Sequence, residues 1–246
     1  MNTPIKYVAE IKDAREVTLL GKADLAFWDT WLQADDLRPV NSDGKARVFI
    51  SAVASKFRGV RFSELSISIG IFMEDNPAQQ DAVYLVQAFN SSRLFSFIER
   101  TLFHTPYCRQ QVQVDSCLPT SFHVIQDQGV SLGAAMAPES NGSQREPIRS
   151  GQERWEGPIF LPGRKRGKSH QGQLFYARLH GDTQVYAFNP STDVITLRPT
   201  QRFPVLQALV DSHFSGQEWI LRRTATHARS KTMRRALGGG HRLQKK

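Results

Sequence analysis

The segment Arg58-Gly-Val-Arg-Phe-Ser-Glu64-Leu-Ser-Ile-Ser-Ile-Gly-Ile71 carries one carboxylate on an alternating run, and forty residues further on comes His104-Thr-Pro-Tyr-Cys-Arg109. Brought together, Glu64, His104, Tyr107 and Arg109 would line a pocket with an acid, an imidazole, a phenol and a guanidinium. A desolvated glutamate acts as general acid or base because burial disfavours its charged form. Tyr107 and His104 can orient a carbonyl or carboxylate, and a guanidinium clamps an anion through two parallel N–H donors. Arg109 is one candidate for that clamp, and Arg58, with Arg61 just upstream of Glu64, is another. Lys56 is the only lysine near this region and so the only candidate amine nucleophile. Plainer readings stand beside these. Glu64 could sit on a solvated strand face, Arg58 and Arg61 could be ordinary exposed strand cations, and His104 to Tyr107 could close a helix end with Tyr107 in the core.

These side chains need elements to position them. Phe62, Glu64, Ser66 and Ser68 alternate with Leu65, Ile67, Ile69 and Ile71, which predicts a strand with one apolar and one polar face. Residues 16–23, 46–54 and 82–90 read as further strands, and a turn over 74–77 separates the last from the Glu64 strand. The segment 56–60 either continues the 46–54 strand or bends at Gly59. Residues 25–37 suggest a short helix capped by Asp24. Residues 91–103 carry Leu94, Phe95, Ile98, Leu102 and Phe103 at helical spacing, with Ser91 or Ser92 as cap, and deliver the chain to the His104 turn. Short strands follow at 111–114, 121–125, 130–136, 174–179, 183–188 and 193–197, with a helix at 205–215 and a last structured element at 219–223. Between 137 and 172 Pro, Ser, Gly, Asn, Gln and Arg dominate, which reads as a long flexible insertion with partial order, pinned by Trp155 and by Phe160 to Leu161. A helix-like pattern over 224–237 could dock through Ala225, Ala228, Met233 and Leu237.

Composition sets outer bounds. A chain of 246 residues with 40% hydrophobic and 22% charged content can bury one substantial core. The expected organisation is one domain over 1–236, with a disordered basic tail over 237–246. The net charge of +9 lies at one end: no acid follows Glu218, while Arg222, Arg223, Arg229, Lys231, Arg234, Arg235, Arg242, Lys245 and Lys246 follow it. Such an end points to a tail or terminal helix with its own role or none. No signal-peptide core or membrane-length apolar run is present, so a soluble, cytoplasmic protein is expected. Cys108 and Cys117 read as free thiols of a reducing compartment. His123, His170, His180, His213, His227 and His241 show no HxxxH or HxH spacing. No metal and no cofactor are therefore expected. The glycine-rich nucleotide loops and the GxSxG elbow are absent.

The order of elements, with Phe62-Ser63-Glu64 on a strand and Thr105-Pro106-Tyr107 after a helix, resembles the acetoacetate decarboxylase-like superfamily over roughly residues 15–135. That resemblance implies a mainly β fold, an antiparallel β-barrel with peripheral helices, and a Glu64 carboxylate in its cavity. It implies a Schiff-base lysine after the proline in the true decarboxylases; here Tyr107 follows Pro106. A phenol cannot form the iminium that serves as electron sink, so the resemblance is to a branch without that lysine, and acetoacetate decarboxylation is not expected. The expected activity is lyase-like handling of a small carboxylate- or carbonyl-bearing molecule, with Glu64, Tyr107 and His104 catalytic and Arg58 and Arg109 binding. A homo-oligomer stays open. The alternatives are a non-catalytic ligand-binding module, and a nucleic-acid-associated protein acting through its basic end and the 163–168 run, whose salt-dependent RNA binding would be lost on deleting 222–246.

Overall fold

Residues 4–73, 82–126, 129–139, 145–166 and 169–236 are described by the computed structural model. The chain opens with a long strand, β1 (Tyr7–Asp24), which the Asp24 carboxylate ends by capping α1 (Leu25–Leu32): its side chain accepts from the Phe27 N–H at 2.8 Å. After a 3-10 turn at Gln33–Asp35 come β2 (Asn41–Ser42), β3 (Lys45–Phe57), β4 (Val60–Ile71) and β5 (Ala82–Asn90). Arg58 and Gly59 close the β3–β4 hairpin with φ values of 47° and 87°, the positive pair a two-residue turn needs to follow the strand twist. Ser92 caps α2 (Arg93–Leu102) by accepting from the Phe95 N–H at 3.3 Å. Then follow β6 (Tyr107–Arg109), β7 (Gln111–Asp115), β8 (Ser121–Gln126), β9 (Gly129–Ala135), β10 (Arg149–Arg166), β11 (Ser169–Ala187), β12 (Val194–Leu197), α3 (Pro204–Asp211), β13 (Ser215–Ser230) and β14 (Met233–Ala236).

The fold is mainly β, and its large sheet is mixed. Ladders run β1 to β13, β13 to β11, β11 to β10, β10 to β5, β5 to β4 and β4 to β3, and β3 pairs β1 again, so the pairings form a closed circuit. The expectation of antiparallel pairing throughout meets two exceptions, since β10 and β6 both pair β5 in parallel. A second sheet, ordered β12-β9-β8-β7, lies against one face of the first. Leu65, Ile67 and Ile69 of β4, Val17 and Leu19 of β1, and Phe89 of β5 pack there with Trp28 of α1, Phe122 of β8 and Leu206 and Leu209 of α3. The alternation in β4 thus splits as the residue types dictate: the isoleucines go to the core, and Glu64, Ser66 and Ser68 go to the opposite face.

Two segments depart from the sequence reading. Within 137–172, residues 149–166 form β10, which pairs β11 from Arg149↔Val185 to Arg166↔Ser169. Its glycines and Pro158 hide a strand whose hydrogen bonds the β11 ladder supplies and whose anchors, Phe160 and Leu161, are buried. The end read as a tail or helix holds β13, a strand between β1 and β11. Its helix-like spacing has a physical source. The register slips between Ala14↔Ala225 and Glu16↔Arg222, so an extra residue on β13 shifts the parity and Arg222 and Ala225 are both buried three apart, while Ala228 is buried on the other face. Among the described residues no helix is long and apolar enough to cross a membrane. Residues 74–77 and 237–246, read as turn and tail, lie outside the described residues.

Candidate active site

The ladders place a row of polar residues on one face of the large sheet. Glu16 on β1 is the Cα partner of Val53 on β3, Val53 of Glu64 on β4, Glu64 of Asn90 on β5, and Asn90 of Arg109 on β6. In the other direction Glu16 partners Arg222 on β13, and Arg222 partners Thr183 on β11. Directly opposed residues point to the same side of a sheet. Residues scattered from position 16 to position 222 thereby share one face.

Three networks stand on that face. In the first, the Tyr107 hydroxyl donates to Glu64 Oε1 at 2.5 Å and the Asn90 amide to Glu64 Oε2 at 3.0 Å. Burial raises the Glu64 carboxyl above the ordinary carboxylate range; the negative charge of Glu99 adds to the rise, while the Tyr107 and Asn90 hydrogen bonds and His227 partly offset it. Burial, with the neighbouring carboxylates Glu64 and Glu99, pushes the Tyr107 phenol well above its ordinary value, so it stays protonated and donates. In the second network Arg229 Nη1 donates to both Glu99 oxygens at 2.5 Å, and the Thr105 hydroxyl reaches Glu99 at 2.9 Å. The Arg229 guanidinium lies 4.3 Å from the Phe103 ring and 4.2 Å from the Phe175 ring. In the third, Arg222 donates to Glu16 at 2.6 Å and to Thr183 at 2.9 Å, and His227 Nε2 lies 2.9 Å from the other Glu16 oxygen. Burial alone would raise the Glu16 carboxyl, but the Arg222 charge, His227 and the Thr18 hydroxyl outweigh it and hold it at about 2.

A protonatable carboxyl and a fixed phenol therefore stand beside a permanently ionised carboxylate that is already neutralised. The two carboxyls of one face are thus pushed in opposite directions by their surroundings. Among the described residues no three His, Cys, Asp or Glu side chains are arranged to hold a metal ion. The larger surface cavity, about 850 Å³ between Asp24, Asp29, Arg38 and Phe72, contains no member of these networks and takes no part in the site.

Of the residues singled out from the sequence, Glu64 and Tyr107 meet. His104 takes the left-handed turn that joins α2 to β6, φ 58°, half-buried. Arg109 is exposed on β6 beside Asn90. Arg58 lies at the exposed hairpin tip, 5.6 Å from the Phe57 ring and, six residues along β4 from Glu64, on the order of 20 Å away from it. Lys56 is exposed near that same tip. Asn90, Glu99, Arg229, Glu16, Arg222 and His227 were not singled out. Glu16-Val-Thr18-Leu carried a signal, since its polar and apolar residues alternate as in β4. So did α2, whose Leu94, Phe97 and Leu102 face solvent while Ser96 is buried and Glu99 faces the site.

No protein-family model matches the chain, and no curated protein matches it in sequence. Solved structures match it in shape. An acetoacetate decarboxylase superposes with a TM-score of 0.64 at 11% identity, covering 92% of this chain and 88% of that one. The acetoacetate decarboxylase of Legionella pneumophila gives 0.64 at 11% identity, over 96% and 92%. An acetoacetate decarboxylase-like enzyme from Sphingomonas wittichii RW1 gives 0.58 at 13% identity, over 92% of both. The chain has the acetoacetate decarboxylase-like fold.

Proposed function

We propose that this protein is an enzyme that moves a proton at a carbon next to a carbonyl in a small molecule, without a Schiff-base lysine, inside a barrel closed by the β1–β3 ladder. One observation carries the reading: the 2.5 Å bond between Tyr107 and a Glu64 whose carboxyl is raised by burial. A carboxyl so placed can take a proton from carbon and return it. Tyr107 stands where the resemblance expects an amine, and its single O–H, given to Glu64, holds the carboxyl in place instead of condensing with a carbonyl. Asn90 holds the second carboxyl oxygen, and Glu99 on α2, paired with Arg229, adds to the rise of the Glu64 carboxyl. The fold neighbours, acetoacetate decarboxylases and a decarboxylase-like enzyme by name, support a carbonyl compound as substrate.

Deuterium incorporation from heavy water into small ketones and keto acids, followed by proton NMR, tests this. The native protein should catalyse exchange at the carbon beside the carbonyl, Glu64→Gln should abolish it, and Tyr107→Phe should slow it about 100-fold or more. Exchange unchanged in Glu64→Gln overturns the assignment. A folded native protein that catalyses no exchange favours the second reading, a non-catalytic module. That reading has its own support, since Tyr107 also packs with Leu85, Ala88, Leu161 and Phe175, side chains that could fill the interior.

A further inference from the structure

The β1–β3 ladder stops at Arg15↔Ala54, although β3 runs on to Phe57 and β1 begins at Tyr7. Asp13, at φ 55°, lies inside the irregular stretch of β1 that still pairs β13, and there β1 leaves β3. The gap is a cleft of about 530 Å³ lined by Asp13, Arg15, Ser55, Lys56, Arg61 and Ser91, among others. Three strands bring one cation each: Arg15 from β1, Lys56 from β3 and Arg61 from β4. No carboxylate among the described residues is recorded within ion-pair distance of any of them, and Asp13 is the one acid on the lining. The Ser55 hydroxyl is buried and has no hydrogen-bond partner. Three unneutralised cations converging on a concavity repel one another, and an oxyanion is what lowers that energy.

The cleft shares strands with the candidate site but not its face. Arg15, Ala54, Ser63 and Ser91 line it, and their chain neighbours Glu16, Val53, Glu64 and Asn90 form the polar row. Successive residues of a strand point to opposite faces, so Arg15, Lys56 and Arg61 stand on the face turned away from Glu64.

We propose that this cleft binds a phosphoryl group, on the face of the sheet opposite Glu64. The site stands independently of the proton-transfer reading. Arg15 and Arg61 suit a bidentate grip on phosphate oxygens, and Lys56 adds a point charge. Arg61 then serves an anion on the face turned away from Glu64, a place different from the one its closeness to Glu64 in sequence suggests.

Calorimetric titration with inorganic phosphate, pyrophosphate and acetate tests the site. Pyrophosphate should bind most tightly and acetate least, with affinity falling as salt rises. Both arginines are exposed, so Arg15→Ala with Arg61→Ala should leave the fold intact and weaken pyrophosphate by roughly tenfold or more. Arg93→Ala with Arg100→Ala, on exposed positions of α2, should leave it unchanged. Glu64→Gln should bind pyrophosphate like the native protein, so a failed exchange assay and a failed titration are told apart. No heat with pyrophosphate, or equal affinity in the cleft variant, overturns the proposal. Tighter binding of a single-stranded RNA that the same two substitutions abolish overturns it in favour of nucleic acid.

Discussion

Glu16 and Glu64 share a face and answer acid in opposite ways, which makes them separable in one experiment. Glu16 is held at about 2 against an ordinary 4.5, so its contribution to stability is complete above 4.5 and is lost as the pH falls toward 2. The shift corresponds to about 3 kcal/mol at most. Glu64 is raised, so the fold binds its proton more tightly than the unfolded chain does, and stability is lost as the pH rises from 4.5 through the raised value. Urea unfolding across this range should therefore show a steep acid limb in the native protein. Glu16→Gln should flatten that limb and cost about 3 kcal/mol at neutral pH, because Arg222 loses its closest partner while staying buried. Glu64→Gln should do the reverse and raise the neutral-pH midpoint, since a neutral amide replaces a carboxyl that is costly to ionise. A gain in stability together with a loss of exchange would mark Glu64 as a functional residue carried at a structural cost; a neutral-pH midpoint that falls would remove burial as the cause of its shift.

Elements were legible where local chemistry sets them. Asp24 and Ser92 cap α1 and α2 as their positions suggested, because a cap depends on residues within one turn. Strand lengths were not, because a strand ends where its partner ends, and the partners of β1 and β13 come from distant sequence. Gly21 shows the difference. Nothing local in β1 demands a glycine there, yet a Cβ at that position would lie 2.3 Å from the Ser215 carbonyl oxygen and 2.3 Å from the Phe214 ring, where β13 begins. A backbone oxygen cannot rotate away. Gly21→Ala should cost about 1–3 kcal/mol by overpacking, read as a lower denaturation midpoint at unchanged slope. Gly44→Ala, with nothing within 4 Å of its Cβ, should differ from it by costing only the strain of φ +77° in an exposed turn.

On the scale of the whole molecule, a half-polar strand with one carboxylate and the family resemblance were enough to pair Glu64 with Tyr107, 43 residues apart. They were not enough for Glu16 with Arg222, 206 apart, or Glu99 with Arg229, 130 apart. Both cations were read into a basic end because charge was counted along the chain, and the closed circuit of ladders is what folds that end back. The same circuit decides what a truncation does. Removing residues 222–246 takes away more than half of a strand that pairs β1 on one side and β11 on the other, and leaves Glu16 and Glu99 buried or half-buried without their cations. Loss of RNA binding on that deletion would consequently say nothing about a tail. The truncated chain should show no cooperative thermal transition by circular dichroism, whereas a chain cut after Ala236 keeps every described ladder and should melt like the intact protein. A cooperative melt after removal of 222–246 would mean that β13 is dispensable and that the circuit can close without it.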